Sequence, residues 1–168
     1  GEFTKNKNVH ISIKVARRLK ELGFEVKFVI VGGNGEYEYK IRNLAKKNKD
    51  IIDIYERIEE RKKLMNMYRK SDIFIMPSRY ESFGLVYGEA MSQGVPVIYT
   101  KGQGIDGYFK DGEVGYSVNP KDISDIVKKI KIIIYNYNNI SKNCYNLVEK
   151  FSWDKIAKIY YNIYKSLF

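Results

Sequence analysis

Four short apolar runs alternate with stretches long enough for helices, and this alternation constrains the fold more than any other property of the chain. Residues 26–31, 51–58, 73–76 and 95–100 read as strands, most clearly the β-branched run Val26-Lys27-Phe28-Val29-Ile30-Val31 that ends in Gly32-Gly33. Such runs suit strands buried on both faces. Residues 37–48, 61–70 and 83–93 read as the intervening helices, with Leu64, Met67 and Tyr68 at helical spacing in the second. Residues 9–22 carry a mixed signal. Val9, Ile11, Ile13 and Val15 alternate like a strand, whereas Ile11, Val15, Leu19 and Leu22 keep a helical stripe that Gly23 stops; a helix is expected. Strand–helix repetition implies right-handed βαβ units, hence an α/β domain with a parallel sheet and helices on both faces. Beyond Pro120 the pattern becomes helical, with an apolar stripe from Ile123 to Tyr137 and another across residues 154–167, so a helical C-terminal tail is expected.

Composition removes several function classes. The 168 residues suit one domain, and 44% hydrophobic with 30% charged residues excludes a disordered or fibrous chain. Cys144 is the only cysteine and His10 the only histidine, which excludes an intramolecular disulfide and argues against a zinc site. No run approaches the ~18 apolar residues of a membrane span, and no signal pattern opens the chain, so a cytoplasmic, soluble protein is expected. The net charge of +10 comes mainly from 23 lysines scattered along helices, which reads as a solvated surface and not as a nucleic-acid interface. Gly1-Glu2-Phe3 looks like residues left by a cloning vector, so a single domain is expected over residues 4–168.

Ligands of open parallel sheets bind beyond the carboxyl ends of the strands. The loop after the third strand is the most informative: Pro77-Ser78-Arg79-Tyr80-Glu81-Ser82-Phe83-Gly84-Leu85. Ser82 is the candidate N-cap of the following helix, which would leave the N–H groups of Phe83, Gly84 and Leu85 open to an anion. The bland alternative is a capped helix and nothing more. Glu81 and Glu89 are separated by seven residues and could touch different parts of one elongated ligand. Glu89 falls on a helix that should be largely buried, where a carboxylate needs partners.

The stretch Ser71-Asp72-Ile73-Phe74-Ile75-Met76-Pro77-Ser78, then Glu81-Ser82-Phe83-Gly84-Leu85, then Glu89-Ala90-Met91-Ser92-Gln93-Gly94-Val95-Pro96-Val97-Ile98 resembles the signature of the family 4 retaining glycosyltransferases. That family has the GT-B architecture of two facing Rossmann-like domains, and the resemblance covers its C-terminal, nucleotide-sugar-binding domain. It implies a role for each matching residue. Glu89 would hold the ribose hydroxyls, which suits a carboxylate because it can accept two hydrogen bonds from a vicinal diol. Glu81 would face the donor sugar near the reacting carbon. Ser82 and the N–H groups of Phe83, Gly84 and Leu85 would hold the diphosphate leaving group, where negative charge grows as the sugar becomes oxocarbenium-like. No metal ion or cofactor is then required; the nucleotide sugar is the substrate.

Lys7 matches a lysine of the family that clamps the diphosphate, while the arginine of the same clamp would fall at position 2, which is Glu2 here. Arg57 and Ile58 match the base-contacting loop, although many members have glycine where this chain has Arg57. Gly33 joins the donor-binding set, yet a tight turn over Gly33-Asn34-Gly35 explains those glycines without a ligand. At Gly102-Gln103-Gly104-Ile105-Asp106-Gly107 the family often has Gly-Gly followed by a glutamate; Asp106 is shifted, and a plain flexible loop is expected. The implied protein is the donor-binding half of a hexosyltransferase that acts on a saccharide or lipid-linked acceptor in surface polysaccharide or glycoconjugate synthesis. An absent N-terminal domain would bind the acceptor and make any peripheral membrane contact, and the fragment alone would be inactive. A non-catalytic Rossmann-like nucleotide-binding module is the alternative.

Overall fold

The computed structural model describes residues 1–167 and follows the predicted alternation. Its elements are α1 (Val9–Glu21), β1 (Phe28–Val31), α2 (Glu38–Lys47), β2 (Ile52–Tyr55), α3 (Arg61–Arg69), β3 (Phe74–Ile75), α4 (Leu85–Met91), β4 (Val97–Thr100) and β5 (Gly115–Val118). The tail comprises α5 (Ile123–Tyr135), α6 (Tyr137–Leu147), a 3-10 turn (Val148–Phe151) and α7 (Trp153–Ser166). Every strand pair is parallel. β1 lies beside β2, with Phe28 opposite Ile52. In a second ladder β4 lies between β3 and β5, so Val97 faces Phe74 on one side and Gly115 on the other. All residues of β4 are buried, as a central strand flanked by helices requires.

Two apolar clusters hold these layers. The larger joins Val97, Ile98 and Tyr99 to Met91 of α4, Ile126 and Ile133 of α5, and Ile140 of α6. The smaller joins Ile30 and Ile52 to Ile41 and Ala45 of α2. α1 serves both, with Val15 and Leu19 in the first and Ile13 and Ala16 in the second. Burial on two sides of one helix explains why its apolar residues imitate strand alternation. α7 stands apart: none of its residues is buried, and it packs on the 3-10 turn while Ser152 caps its start by accepting from the Lys155 N–H. No described helix is long and apolar enough to cross a membrane.

Residues 1–3, ahead of the expected start at Thr4, pack onto the fold. Phe3 is 1% exposed within the smaller cluster. Its N–H donates to the Asn34 carbonyl at 2.7 Å and its own carbonyl accepts from the Tyr37 N–H at 2.8 Å, while Glu2 forms a parallel bridge with Gly33. A little further along, Asn6 accepts from the Arg79 N–H at 2.8 Å, and Asn8 Nδ2 donates to the carbonyls of Pro77 (3.0 Å) and Pro120 (2.7 Å). The segment is therefore the seam between the two ladders. It is strand-like in place but too short in pairing to form an extended strand.

Candidate functional site

The loop leaving β3 is held from two directions before it reaches its acidic residue. On one side, Asn6 receives the Tyr80 N–H on its side-chain oxygen and gives its amide to the Tyr80 carbonyl, both at 2.9 Å. Lys7, between the two anchoring asparagines, is thereby aimed at the loop, and its Nζ lies 2.8 Å from Glu81 Oε2. The Glu81 side chain is only 10% exposed and that of Lys7 31%, so this charged pair is partly withdrawn from water. On the other side, the Glu81 N–H donates to Gln103 Oε1 at 3.2 Å, and the Gly104 N–H donates to the Glu81 carbonyl at 2.9 Å. Residues 102–107, expected to be a plain flexible loop, instead fasten Glu81 in place. Gly104 is needed there: its φ is +58°, and a Cβ would lie 3.0 Å from the Phe83 carbonyl oxygen and 3.2 Å from Glu81 Cγ.

The start of α4 differs from expectation. Its N-cap is Gly84, in the left-handed region at φ 79°, and Ser82 is an exposed loop residue that makes no capping hydrogen bond. The reason is steric. The chain turns into the helix so tightly that a Cβ on residue 84 would sit 2.5 Å from the ring of Tyr87, whose N–H bonds the Gly84 carbonyl at 2.9 Å. Among the described residues, the N–H groups of Phe83, Gly84 and Leu85 take no backbone acceptor. The Phe83 ring is pinned edge-on against Phe151, with centroids 4.9 Å apart, so the backbone carrying these donors has a packed anchor. Leu85 is exposed. Gly84→Ala is expected to lower the unfolding midpoint, at a cost of about 1–3 kcal/mol for a left-handed residue made to carry a Cβ; calorimetric unfolding of the variant checks this.

Glu89 is half-buried on α4, and Tyr68 of α3 donates its hydroxyl to Glu89 Oε2 at 3.3 Å. Burial and the neighbouring Glu89 charge raise the Tyr68 pKa well above the ordinary tyrosine value, so the hydroxyl remains a donor. Tyr87, beneath Glu81, is likewise raised by burial first and by the Glu81 charge second, and it donates to the Met76 carbonyl at 2.6 Å. Burial pushes the Cys144 thiol up to about 12, and its Sγ contacts the Val114 carbonyl at 3.2 Å, which suits a packed core residue and not a nucleophile.

The remaining sequence-predicted residues sit elsewhere on the same face or away from it. Gly33 bridges Glu2 just past β1, where a Cβ would come 3.3 Å from Glu56 Oε2. Arg57, beyond the end of β2, is largely solvated, with Glu59 at 3.9 Å, and Ile58 beside it is half-buried. Neither makes a contact that joins it to Glu81 or Glu89. The partners that composition and motif reasoning missed are Tyr68, Gln103 and Gly104. Tyr68 was visible only as part of a helical stripe, and Gln103 only as part of a glycine-rich turn. A groove of about 510 Å³ lies away from these residues, between α1 and α5, lined by Arg18, Leu22, Lys128 and Tyr135 among others.

The family model "Glycosyl transferases group 1" matches residues 1–150. The probable sucrose-phosphate synthase of Thermosipho melanesiensis is 31% identical over 163 residues, which is 94% of this chain and 38% of that protein. Among solved structures, the C-terminal domain of a glycosyl transferase group 1 family protein (LpcC) from Francisella tularensis superposes with a TM-score of 0.75 at 28% identity, covering 90% of this chain and 84% of that one. Anabaena Alr3699/HepE, in complex with UDP, superposes with a TM-score of 0.84 at 20% identity, covering 99% of this chain and 47% of that one. The chain spans less than half the length of the curated relatives it matches. A family match over most of the chain, on a fold of parallel strands flanked by helices, places it in the glycosyl transferases group 1 family, with the Rossmann-like fold of a GT-B glycosyltransferase domain.

Proposed function

We propose that this chain is the donor-binding domain of a retaining glycosyltransferase and holds a nucleoside-diphosphate sugar at the edge built by Lys7, Glu81, Glu89 and the loop into α4. The observation that carries the reading is the Lys7–Glu81 ion pair, which joins residues 74 apart in sequence beside the open N–H groups of Phe83, Gly84 and Leu85. In this reading the diphosphate takes those N–H groups and draws the Lys7 ammonium from Glu81. The Glu81 carboxylate is then left facing the sugar, where positive charge grows in the transition state. Glu89 takes the ribose hydroxyls. Prearranged donors at the leaving group stabilise the transition state more than the bound ground state. The positive charge comes from a lysine and backbone dipoles, so the reading assigns no role to a metal ion.

The donor is a hexose-type sugar and the acceptor a saccharide or lipid-linked saccharide, held by a domain outside this chain. The cytoplasmic face of a membrane is the proposed working place, with any peripheral contact made by that other domain. Arg57 and Ile58 remain the proposed neighbours of the base, and Gly33 a neighbour of the donor. Calorimetric titration with UDP, GDP and ADP tests the assignment: one of them binds the chain, and Glu89→Ala weakens that binding by about tenfold or more. No binding at millimolar nucleotide, or no change in Glu89→Ala, overturns it.

A further inference from the structure

We infer that Tyr68 is a positioning residue for ribose recognition, orienting the Glu89 carboxylate so that one of its oxygens is committed to the protein and the other is free for the sugar diol. The inference rests on the donor-binding reading of Glu89 and goes beyond it, because the reading itself assigns Tyr68 nothing. Among the described residues, the Tyr68 hydroxyl is the one group bonded to the Glu89 carboxylate, at 3.3 Å on Oε2. The remaining side-chain bonds around Glu89 go to its backbone: Ser92 Oγ donates to the Glu89 carbonyl at 2.7 Å. A glutamate on a helix surface has three rotatable bonds and loses substantial entropy when a ligand must fix it. A carboxylate already held at one oxygen has part of that freedom removed before the nucleotide arrives, and such preorganisation appears as affinity.

Tyr68 is itself well placed to act as a fixed point. Its ring packs edge-on against Phe74 of β3, with centroids 5.6 Å apart, and Phe74 in turn packs edge-on against the fully buried Tyr87 at 5.8 Å. The hydroxyl is therefore carried on a chain of aromatic rings rooted in the larger core, while α3 has no buried residue of its own. A residue of this kind reads as an ordinary amphipathic-helix position. Its chemistry shows only when α3 is laid against α4.

Tyr68→Phe keeps the ring and removes only the donor, so it separates positioning from packing. The experiment titrates the wild-type chain, Tyr68→Phe and Glu89→Ala with whichever of UDP, GDP or ADP binds, and with the 2′,3′-dideoxy form of that nucleotide. Tyr68→Phe is expected to weaken the ribonucleotide by about two- to twelvefold, the cost of fixing one rotamer-rich side chain on binding. The dideoxy nucleotide, which offers Glu89 no diol, is expected to bind wild type and Tyr68→Phe equally. An unchanged ribonucleotide affinity in Tyr68→Phe, or an equal loss for both nucleotides, overturns the inference while a loss in Glu89→Ala leaves the donor reading standing. If Glu89→Ala also binds like wild type, or no nucleotide binds wild type, the donor reading fails and the inference with it.

Discussion

Glu81→Gln in the full-length transferase is expected to lower the rate of sugar transfer by about a hundred- to a thousandfold while nucleotide affinity stays within about threefold of wild type. The substitution keeps the shape of the side chain and removes its charge. In the unliganded chain that charge is balanced by Lys7 at 2.8 Å, so the variant frees an ammonium group and gives the diphosphate an unopposed cation. Binding of the nucleotide is therefore preserved. On the proposed reading transfer is not, because an amide would offer the oxocarbenium-like sugar a dipole where the carboxylate, its side chain only 10% exposed, offers a full negative charge. The fold is expected to tolerate the change, since the Lys7 side chain remains 31% exposed and its ammonium can turn to solvent. Steady-state kinetics beside calorimetric nucleotide binding makes the measurement. An undiminished rate removes Glu81 from the chemistry; a parallel loss of binding and rate would make it a donor anchor only.

The parallel α/β architecture was legible because each of β1 to β4 carries its own apolar signal. β5 was not. Gly-Tyr-Ser-Val is a weak strand former by itself, and Gly115 to Val118 becomes a strand because the β4 edge pairs with it, residue by residue from Val97 to Thr100. α6 was hidden for a related reason: its asparagines oppose helix formation, and Ile140 and Cys144 reach the larger core only once α5 has turned the chain back. At the site, Glu81 and Glu89 were legible as a spaced pair. Their working partners were not, because Lys7 and Gln103 are 74 and 22 residues from Glu81, and Tyr68 is 21 from Glu89. The displaced helix start is a local error with a local cause. Serine is the better capping side chain, but only glycine fits over Tyr87 at position 84.

Phe3→Ala is expected to destabilise the chain by about 3–5 kcal/mol, the usual cost of deleting a buried aromatic side chain together with the cavity it leaves. For a domain of this size that corresponds to a fall of about 6–20 °C in Tm. The size of the effect follows from where Phe3 sits. It is the sole aromatic among the fully buried members of the smaller cluster, packed with Ile13, Ile30 and Ile41, and its backbone is bonded to Asn34 and Tyr37. Urea unfolding should show a lower midpoint with an unchanged slope, and Phe3→Leu should recover most of the loss because it refills much of the volume. A midpoint unmoved by Phe3→Ala would mean that these first residues only decorate the surface, as their appearance in the sequence suggests. The consequence reaches the site as well. Lys7 follows Phe3 by four residues, and the seam that Phe3 anchors is what aims its ammonium at Glu81. Loosening that anchor should therefore weaken nucleotide binding even at temperatures where the chain is still folded.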